Sequence, residues 1–412
     1  MKTKFSYSFI VVAVAFVILV VAVGGTSSFG VFFRPFVIEF GLTRVMTLSA
    51  VSLGIILVGF LSLGVGKLSD RLGPRLVLTA SGLLLGLGYL VMSQISVIWQ
   101  QYLFYGMIMG VGLASVIIPS LSTIARWFDD RRSTMTGIVM AGIGTGAIFT
   151  PLLVDWLFSS YGWGTGFVVI GIASLVLVVS AAQFLRRGSG QRGQLPDGRV
   201  DVKQESLNLE AGEFSLREAI HTRQLWMLWA IFLYLGFCIF SIMAYIAILA
   251  VEVGITTTGA LNILTVFGLL NIGCSIIIGL FADEIGNRHT LVASLVLMLV
   301  SLFLLYGAQP LGVTIPLFLF STAPSFGCAL LVLMSPIVAE LFGLKSHGVL
   351  LGVIVTGLAI GAAIGSVLAG YIFDITGSSQ IVFLICIILI VIAIGLAILL
   401  RPTNSRSELT HI

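Results

Sequence analysis

The chain reads as an all-α membrane protein, with twelve transmembrane helices arranged as two pseudo-symmetric six-helix bundles. Three observations predict this. Of its 412 residues, 58% are hydrophobic and only 9% charged, whereas an ordinary soluble domain carries roughly a quarter charged residues. Apolar runs long enough to cross a hydrocarbon core of about 30 Å, which takes roughly 20 helical residues, recur along the whole length. The second half also repeats charge and glycine markers of the first at nearly constant offset.

The spans follow in order. The first run, 9–36, comes after Lys2 and Lys4; it is longer than a signal-peptide core and no small-x-small site follows it, so it is expected to stay as a span. The second, 45–68, leads through the charged turn Gly66-Lys67-Leu68-Ser69-Asp70-Arg71-Leu72-Gly73-Pro74-Arg75 into the third, 75–96. The fourth, 99–126, carries Gly106, Gly110 and Gly112, and the fifth, 134–158, carries Gly142, Gly144 and Gly146 ahead of Pro151. Small residues let membrane helices cross closely, and proline lets them bend. The sixth run is 165–186.

The chain then turns polar, with Gly188-Ser189-Gly190-Gln191-Arg192-Gly193 and scattered Glu and Arg. This divides the sequence into a first bundle, 1–187, a linker, 188–223, and a second bundle, 224–412. Within the linker, Ser215 with Glu218 three residues on has the pattern of a helix-starting capping box; a plain solvated loop is the alternative. The second six runs are 224–250, 260–283, 289–308, 313–342, 347–374 and 380–401.

Charge placement sets the expected orientation. With twelve spans, nineteen of the twenty-one Lys and Arg fall on the side of the termini and the linker, and two, Arg34 and Arg44, fall on the other. By the positive-inside rule both termini are expected in the cytoplasm of a multi-pass protein of the plasma (inner) membrane. The net charge of +4 therefore reflects topology, and no nucleic-acid partner is implied. Cys238, Cys274, Cys328 and Cys386 all lie within apolar runs without metal-ligand spacing, as expected of buried thiols. No metal or cofactor site is expected. The four histidines, His221, His289, His347 and His411, have no paired nucleophile or ligand set, so no enzyme constellation is present. The sequence contains no GxxxxGK[ST] motif, which excludes direct ATP hydrolysis.

Two markers repeat. Gly66, Asp70, Gly73 and Arg75 recur as Gly279, Asp283, Gly286 and Arg288, displaced by 213 residues, and Gly137, Gly142 and Gly146 recur as Gly352, Gly357 and Gly361, displaced by 215. A duplicated six-helix unit is the internal symmetry expected of secondary transporters, whose binding site lies between the halves.

The turn GKLSDRLGPR is similar to the loop signature of the major facilitator superfamily. Within it, Gly30-Val31-Phe32-Phe33-Arg34-Pro35, Glu39-Phe40-Gly41, Trp127-Phe128 with Arg131 and Arg132, Tyr161-Gly162-Trp163, Glu340-Leu341-Phe342-Gly343 and Asp374 with Gly377-Ser378 resemble the monocarboxylate transporter and oxalate:formate antiporter group. The resemblance implies alternating access, and a latch of Asp70, Arg71, Arg75, Asp283 and Arg288 that holds the halves together on the cytoplasmic side. Charges that merely fix topology are the alternative.

An ionisable group near the bilayer midplane marks function by default, and the runs carry none there. Arg34 and Glu252, toward the outer ends of the first span of each half, are candidates for an outer gate, with Glu252 also a candidate proton carrier; interfacial snorkelling is the alternative. The candidate substrate pocket is lined by Ser27, Ser28, Phe29, Ser115, Tyr245, Asn271, Ser275, Phe326 and Thr356. Members of the resembled group carry an Arg four residues after an Asp or Asn in the eighth span, and mammalian members a Lys in the first. The matching positions here are Ser275, after Asn271, and Ser27. A hydroxyl cannot supply the charge that offsets desolvation of an anion, a cost of several kcal/mol.

Three readings stay open: a small organic acid, moved protonated or with its charge met by Arg34 or helix dipoles; a neutral or amphipathic solute, including drug or metabolite efflux; or a non-transporting membrane sensor. The expected partners are a small-molecule substrate, the bilayer and a proton, with a monomer as the expected state.

Overall fold

A computed structural model describes residues 7–29, 31–32, 44–186, 214–252, 257–308, 326–376 and 380–400. These residues are almost entirely helical. The first half contains α1 (Tyr7–Ser27), α2 (Arg44–Leu72), α3 (Pro74–Met92), α4 (Ile98–Trp127), α5 (Arg132–Tyr161) and α6 (Trp163–Ala182). The second contains α7 (Arg223–Glu252), α8 (Thr257–Ile285), α9 (Asn287–Ala308), α10 (Phe326–Phe342), α11 (His347–Thr376) and α12 (Gln380–Leu399). Eleven of these helices are long and apolar enough to cross a membrane; the described part of α10 is shorter. Exposed Leu, Ile, Val and Phe side chains cover the outside, as a surface bathed in lipid tails requires.

Residues 33–36 of the first expected span and 313–325 of the tenth lie outside the described residues. Where the residues are described, the expected spans match these helices except at the end of the first. There α1 stops at Ser27 with a turn at Ser28. Thr26 and Ser27 donate side-chain hydrogen bonds to Val23 O, and Ser28 donates to Gly24 O. Following two glycines, these hydroxyls compete with the helical ladder.

The duplication is visible in the backbone. Gly73, between α2 and α3, and Gly286, between α8 and α9, both adopt a left-handed conformation, with φ of 88° and 92°. Only glycine takes this φ without a steric penalty, so both copies of the motif turn the chain alike. The capping box also forms: Ser215 N donates to Glu218 Oε2 at 2.8 Å, and Glu218 N to Ser215 Oγ at 3.4 Å. It starts a single helical turn, Leu216–Ala219. Of the four thiols, Cys238 and Cys386 are buried, while Cys274 and Cys328 are only half-buried.

Within the first half α5 packs along α1, and within the second α11 packs along α7. Between the halves, α2 runs against α11 and α5 against α8. The end of the molecule carrying Arg71, Arg75, Arg126, Arg132, Arg186 and Arg288 is called the basic end below.

Candidate functional site

Asp70 and Asp283 each sit in the last turn of their helix. A carboxylate there opposes its own helix dipole, whose C-terminal end is negative. The fold offsets this by presenting each carboxylate to the positive N-terminus of a helix in the other half. Asp70 accepts from Gly348 N at 3.2 Å and Val349 N at 3.1 Å, at the start of α11. Asp283 accepts from Ser133 N at 2.9 Å and Thr134 N at 2.8 Å, at the start of α5. The first amides of a helix have no partner within it, and an anion at a partly buried N-terminus is stabilised by about 1–2 kcal/mol.

The two contacts differ in what backs them. Asp70 Oδ1 also pairs with Arg126 Nη2 of α4 at 2.9 Å, with 13% of the Asp70 and 21% of the Arg126 side chain exposed. On the other seam, Ser133 Oγ donates to Asn287 Oδ1 at 2.8 Å, and Asn287 Nδ2 to Glu340 Oε2 at 2.9 Å. A third contact joins the halves between them, where Ser335 Oγ of α10 donates to Leu121 O of α4 at 3.4 Å.

Backbones touch along both seams. A Cβ added at Gly66 would lie 2.2 Å from Gly348 O, and one at Gly137 would lie 2.4 Å from Ser275 O. Ser62 Oγ donates to Gly352 O at 3.0 Å. Close approach between the halves extends from the basic end at least to Gly59 with Ala359 and Gly268 with Ile148, about the middle of these four helices.

The remaining latch candidates point elsewhere. Arg71, adjacent to Asp70, is rotated by a helical step and is exposed. Arg75 lies beyond the Gly73 turn and donates from Nε to Gln183 Oε1 of the α6 end at 2.7 Å. Its repeat partner Arg288 donates to Ala397 O and Ile398 O at the end of α12. These two arginines thus tie the third helix of each half to its sixth, within one bundle.

The candidate pocket residues fall into three groups. Ser27, Ser28, Ser115 and Thr356 donate to carbonyls one turn back on their own helices, at 3.0, 2.9, 3.0 and 2.7 Å. Thr356 of α11 also accepts from Trp229 Nε1 of α7 at 3.2 Å. Phe29 is buried against Tyr105, with ring centroids 4.6 Å apart, and Phe326 is half-buried. Asn271 and Ser275, one turn apart on α8, are each 1% exposed, and neither Asn271 Oδ1 nor Ser275 Oγ has a hydrogen-bond partner among the described residues. Both face α5: Asn271 Oδ1 would be 3.1 Å from a Cβ on Gly144. The side chains of Arg34, Tyr245 and Glu252 lie outside the described residues.

Sequence reasoning missed Arg126, whose signal was a cation at the end of an apolar run, and Trp229. The amide donors at 133–134 and 348–349 that the aspartates grip were not named either, because they have no side-chain signature. Among the described residues no group of His, Cys, Asp and Glu could hold a metal ion.

A family model described as the Major Facilitator Superfamily matches residues 14–272 and 244–411. The chain is 26% identical to the uncharacterized MFS-type transporter YhjX of Escherichia coli (strain K12), over 74% of this chain and 75% of that protein. It is 33% identical to monocarboxylate transporter 13 of Rattus norvegicus, over 43% of this chain and 41% of the other. It is 28% identical to the oxalate:formate antiporter of Oxalobacter formigenes, over 55% and 52%. The chain thus spans about half or less of the latter two. Among solved structures, the proton:xylose symporter XylE superposes with a TM-score of 0.72 at 16% identity, covering 95% of both chains.

Proposed function

The chain belongs to the major facilitator superfamily, and from that premise we propose a secondary active transporter that moves a small monocarboxylate-type organic acid by alternating access. In this reading the bundles 1–187 and 224–412, joined by the linker 188–223, rock about a site between them. The basic end faces the cytoplasm, and a monomer in the inner membrane is the working unit.

One observation carries the alternating-access part: two carboxylates, Asp70 and Asp283, each cap a helix of the opposite half. Such a seam is suited to opening. The amides and carboxylates it exposes are groups that water solvates well, and much of the rest is backbone meeting backbone at glycines, as at Gly66 with Gly348 and Gly137 with Ser275. Asn271 and Ser275 push the same way, because an unpaired buried polar group costs about 1–3 kcal/mol that water would restore on opening.

The substrate class is supported by the quoted sequence stretches and by relatives named for monocarboxylate and oxalate:formate transport. Ser27 and Ser275, standing where cations are expected, favour a second reading, a neutral or amphipathic solute, through a pocket with Ser28, Phe29, Ser115, Tyr245, Asn271, Phe326 and Thr356. The experiment that separates them is thermal stabilisation of the purified protein by small acids, neutral metabolites and lipophilic cations at acidic and neutral pH, since a ligand of the folded state raises its melting temperature. Saturable stabilisation by a monocarboxylate, stronger at acidic pH, is expected. Stabilisation by neutral or amphipathic compounds alone would replace the acid reading with the second.

We assign coupling to protons to Glu252, and the outer gate to Arg34 and Glu252, which fall toward the outer ends of the first span of each half in the sequence. Drying of Glu252 as the outer mouth closes would favour its protonated form. Glu252→Gln is therefore expected to flatten the pH dependence of uptake into proteoliposomes; an unchanged pH profile would remove Glu252 from coupling.

A further inference from the structure

At the basic end, each half has a cavity between the turn that follows its second helix and the end of its sixth. The two are related by the internal repeat. In the second half the cavity, about 290 Å³, is lined by Asn287, Arg288, His289 and Glu340 among apolar neighbours. Its charges are spent internally: Arg288 is bound to the carbonyls of Ala397 and Ile398, and Glu340 to Asn287.

The cavity of the first half is about twice as large, about 600 Å³, and lies between Leu72–Leu76 and Gln183–Arg186. Two guanidinium groups, Arg75 and Arg186, line it, and among the described residues no carboxylate does. Arg75 uses only Nε, toward Gln183 Oε1, leaving its terminal nitrogens without a partner among the described residues. Gln183 is in turn fixed by Nε2 donating to Thr79 Oγ1 at 3.0 Å and Val179 O at 3.1 Å. The Arg186 side chain has no hydrogen bond or ion pair among the described residues, although its carbonyl accepts from Trp127 Nε1 at 3.1 Å. Among the described residues, the cavity at the α8–α9 turn thus holds an arginine and a glutamate that both have partners, whereas the one at the α2–α3 turn holds a partly preorganised pair of arginines and no carboxylate.

We propose that this first-half cavity is a binding site for the phosphate headgroup of an anionic phospholipid, held by Arg75 and Arg186. Guanidinium forks match phosphate oxygens in geometry and charge, and cationic pockets at a membrane surface attract anionic headgroups. A lipid suits the site better than a free anion because Leu72 and Leu76, on its rim, are 55% and 59% exposed at the ends of membrane-crossing helices. The glycerol and first methylenes of a lipid cover such side chains, whereas inorganic phosphate leaves them bare. A lipid seated there would tie the α2–α3 turn to the end of α6, just beyond the last turn of α2, which carries Asp70.

The test uses the full chain in nanodiscs of phosphatidylcholine, with and without phosphatidylglycerol, and reads both the melting temperature and the phosphatidylglycerol retained by native mass spectrometry. Wild type is expected to melt higher with phosphatidylglycerol and to retain it after detergent exchange. Arg186→Gln, which breaks no side-chain bond among the described residues, is expected to lose most of both effects, and Arg75→Gln likewise. Arg217→Gln, at the same end but outside the cavity, should behave as wild type. Equal retention and equal stabilisation in Arg186→Gln and wild type would overturn the site. Equal stabilisation by inorganic phosphate in the phosphatidylcholine discs, lost in Arg186→Gln, would overturn the lipid as its occupant.

Discussion

Alanine at Gly66 is expected to stop turnover while leaving the protein folded and inserted. The added Cβ would lie 2.2 Å from Gly348 O and 2.9 Å from the Val349 Cα, so backbone would have to move. Overpacking of this kind costs about 1–3 kcal/mol. Both atoms it meets belong to the opposite half, so the cost falls only on the state in which the basic ends are together. Every 1.4 kcal/mol is a tenfold shift, and the closed state is expected to lose roughly ten- to a hundredfold in population. The direct readout is alkylation of a cysteine at position 62, whose native serine donates to Gly352 O across the seam. Its labelling from the basic side should rise in the Gly66→Ala background as transport falls; unchanged labelling would mean that the seam does not separate. The contrast is Gly361→Ala, where the Cβ would meet Leu233 O at 1.9 Å inside the second half. That variant cannot relax by opening, and its expected effect is loss of folded protein from the membrane.

The second large effect is expected at Asp70. Asp70→Asn removes the charge that pairs with Arg126 and weakens two amide contacts at the start of α11. Breaking one side of a partly buried ion pair is costlier than removing both, because the surviving charge is left without compensation. Transport is therefore expected to fall roughly tenfold or more in Asp70→Asn, and to recover in part when Arg126→Gln is added. Asp283 has no paired arginine among the described residues, and Asp283→Asn is expected to do less harm. A double-mutant cycle on transport rate measures the coupling; strictly additive losses would show that Arg126 acts independently of Asp70.

The helices were legible in the sequence because a lipid-exposed helix announces itself by composition alone. Asp70 and Asp283 were legible for a related reason, being charges that interrupt apolar runs at equivalent places in a repeat. Their partners were not, because Gly348, Val349, Ser133 and Thr134 contribute backbone amides, and every residue type except proline has one. The role of Arg126 depends on how closely the end of α4 approaches the end of α2, a distance set by the packing of Gly54 against Gly106 and Gly110 far along the two helices. Arg75 and Arg288 share a motif with the aspartates, yet the positive-φ glycines at 73 and 286 carry them to the other side of the turn. Nothing short of the backbone path distinguishes those two outcomes. The break in α1 at Ser28 reflects local competition by three successive hydroxyls, which a count of apolar residues does not weigh.

The carboxylate-to-amide seams also distribute evolutionary freedom unevenly. A side chain that grips main-chain hydrogens asks nothing of the residue supplying them except that it not be proline, which lacks the N–H, and that its own side chain clear the facing helix. By this logic substitution is expected to be tolerated better at Val349 than at the two aspartates and the glycines that let the helices meet, whereas Thr134 adds a side-chain bond of its own across the seam, to Gly279 O at 3.4 Å. A gate built this way can be inherited through duplication, and its two copies can diverge in their backing residues, as Arg126 and Asn287 have, without either losing its hold.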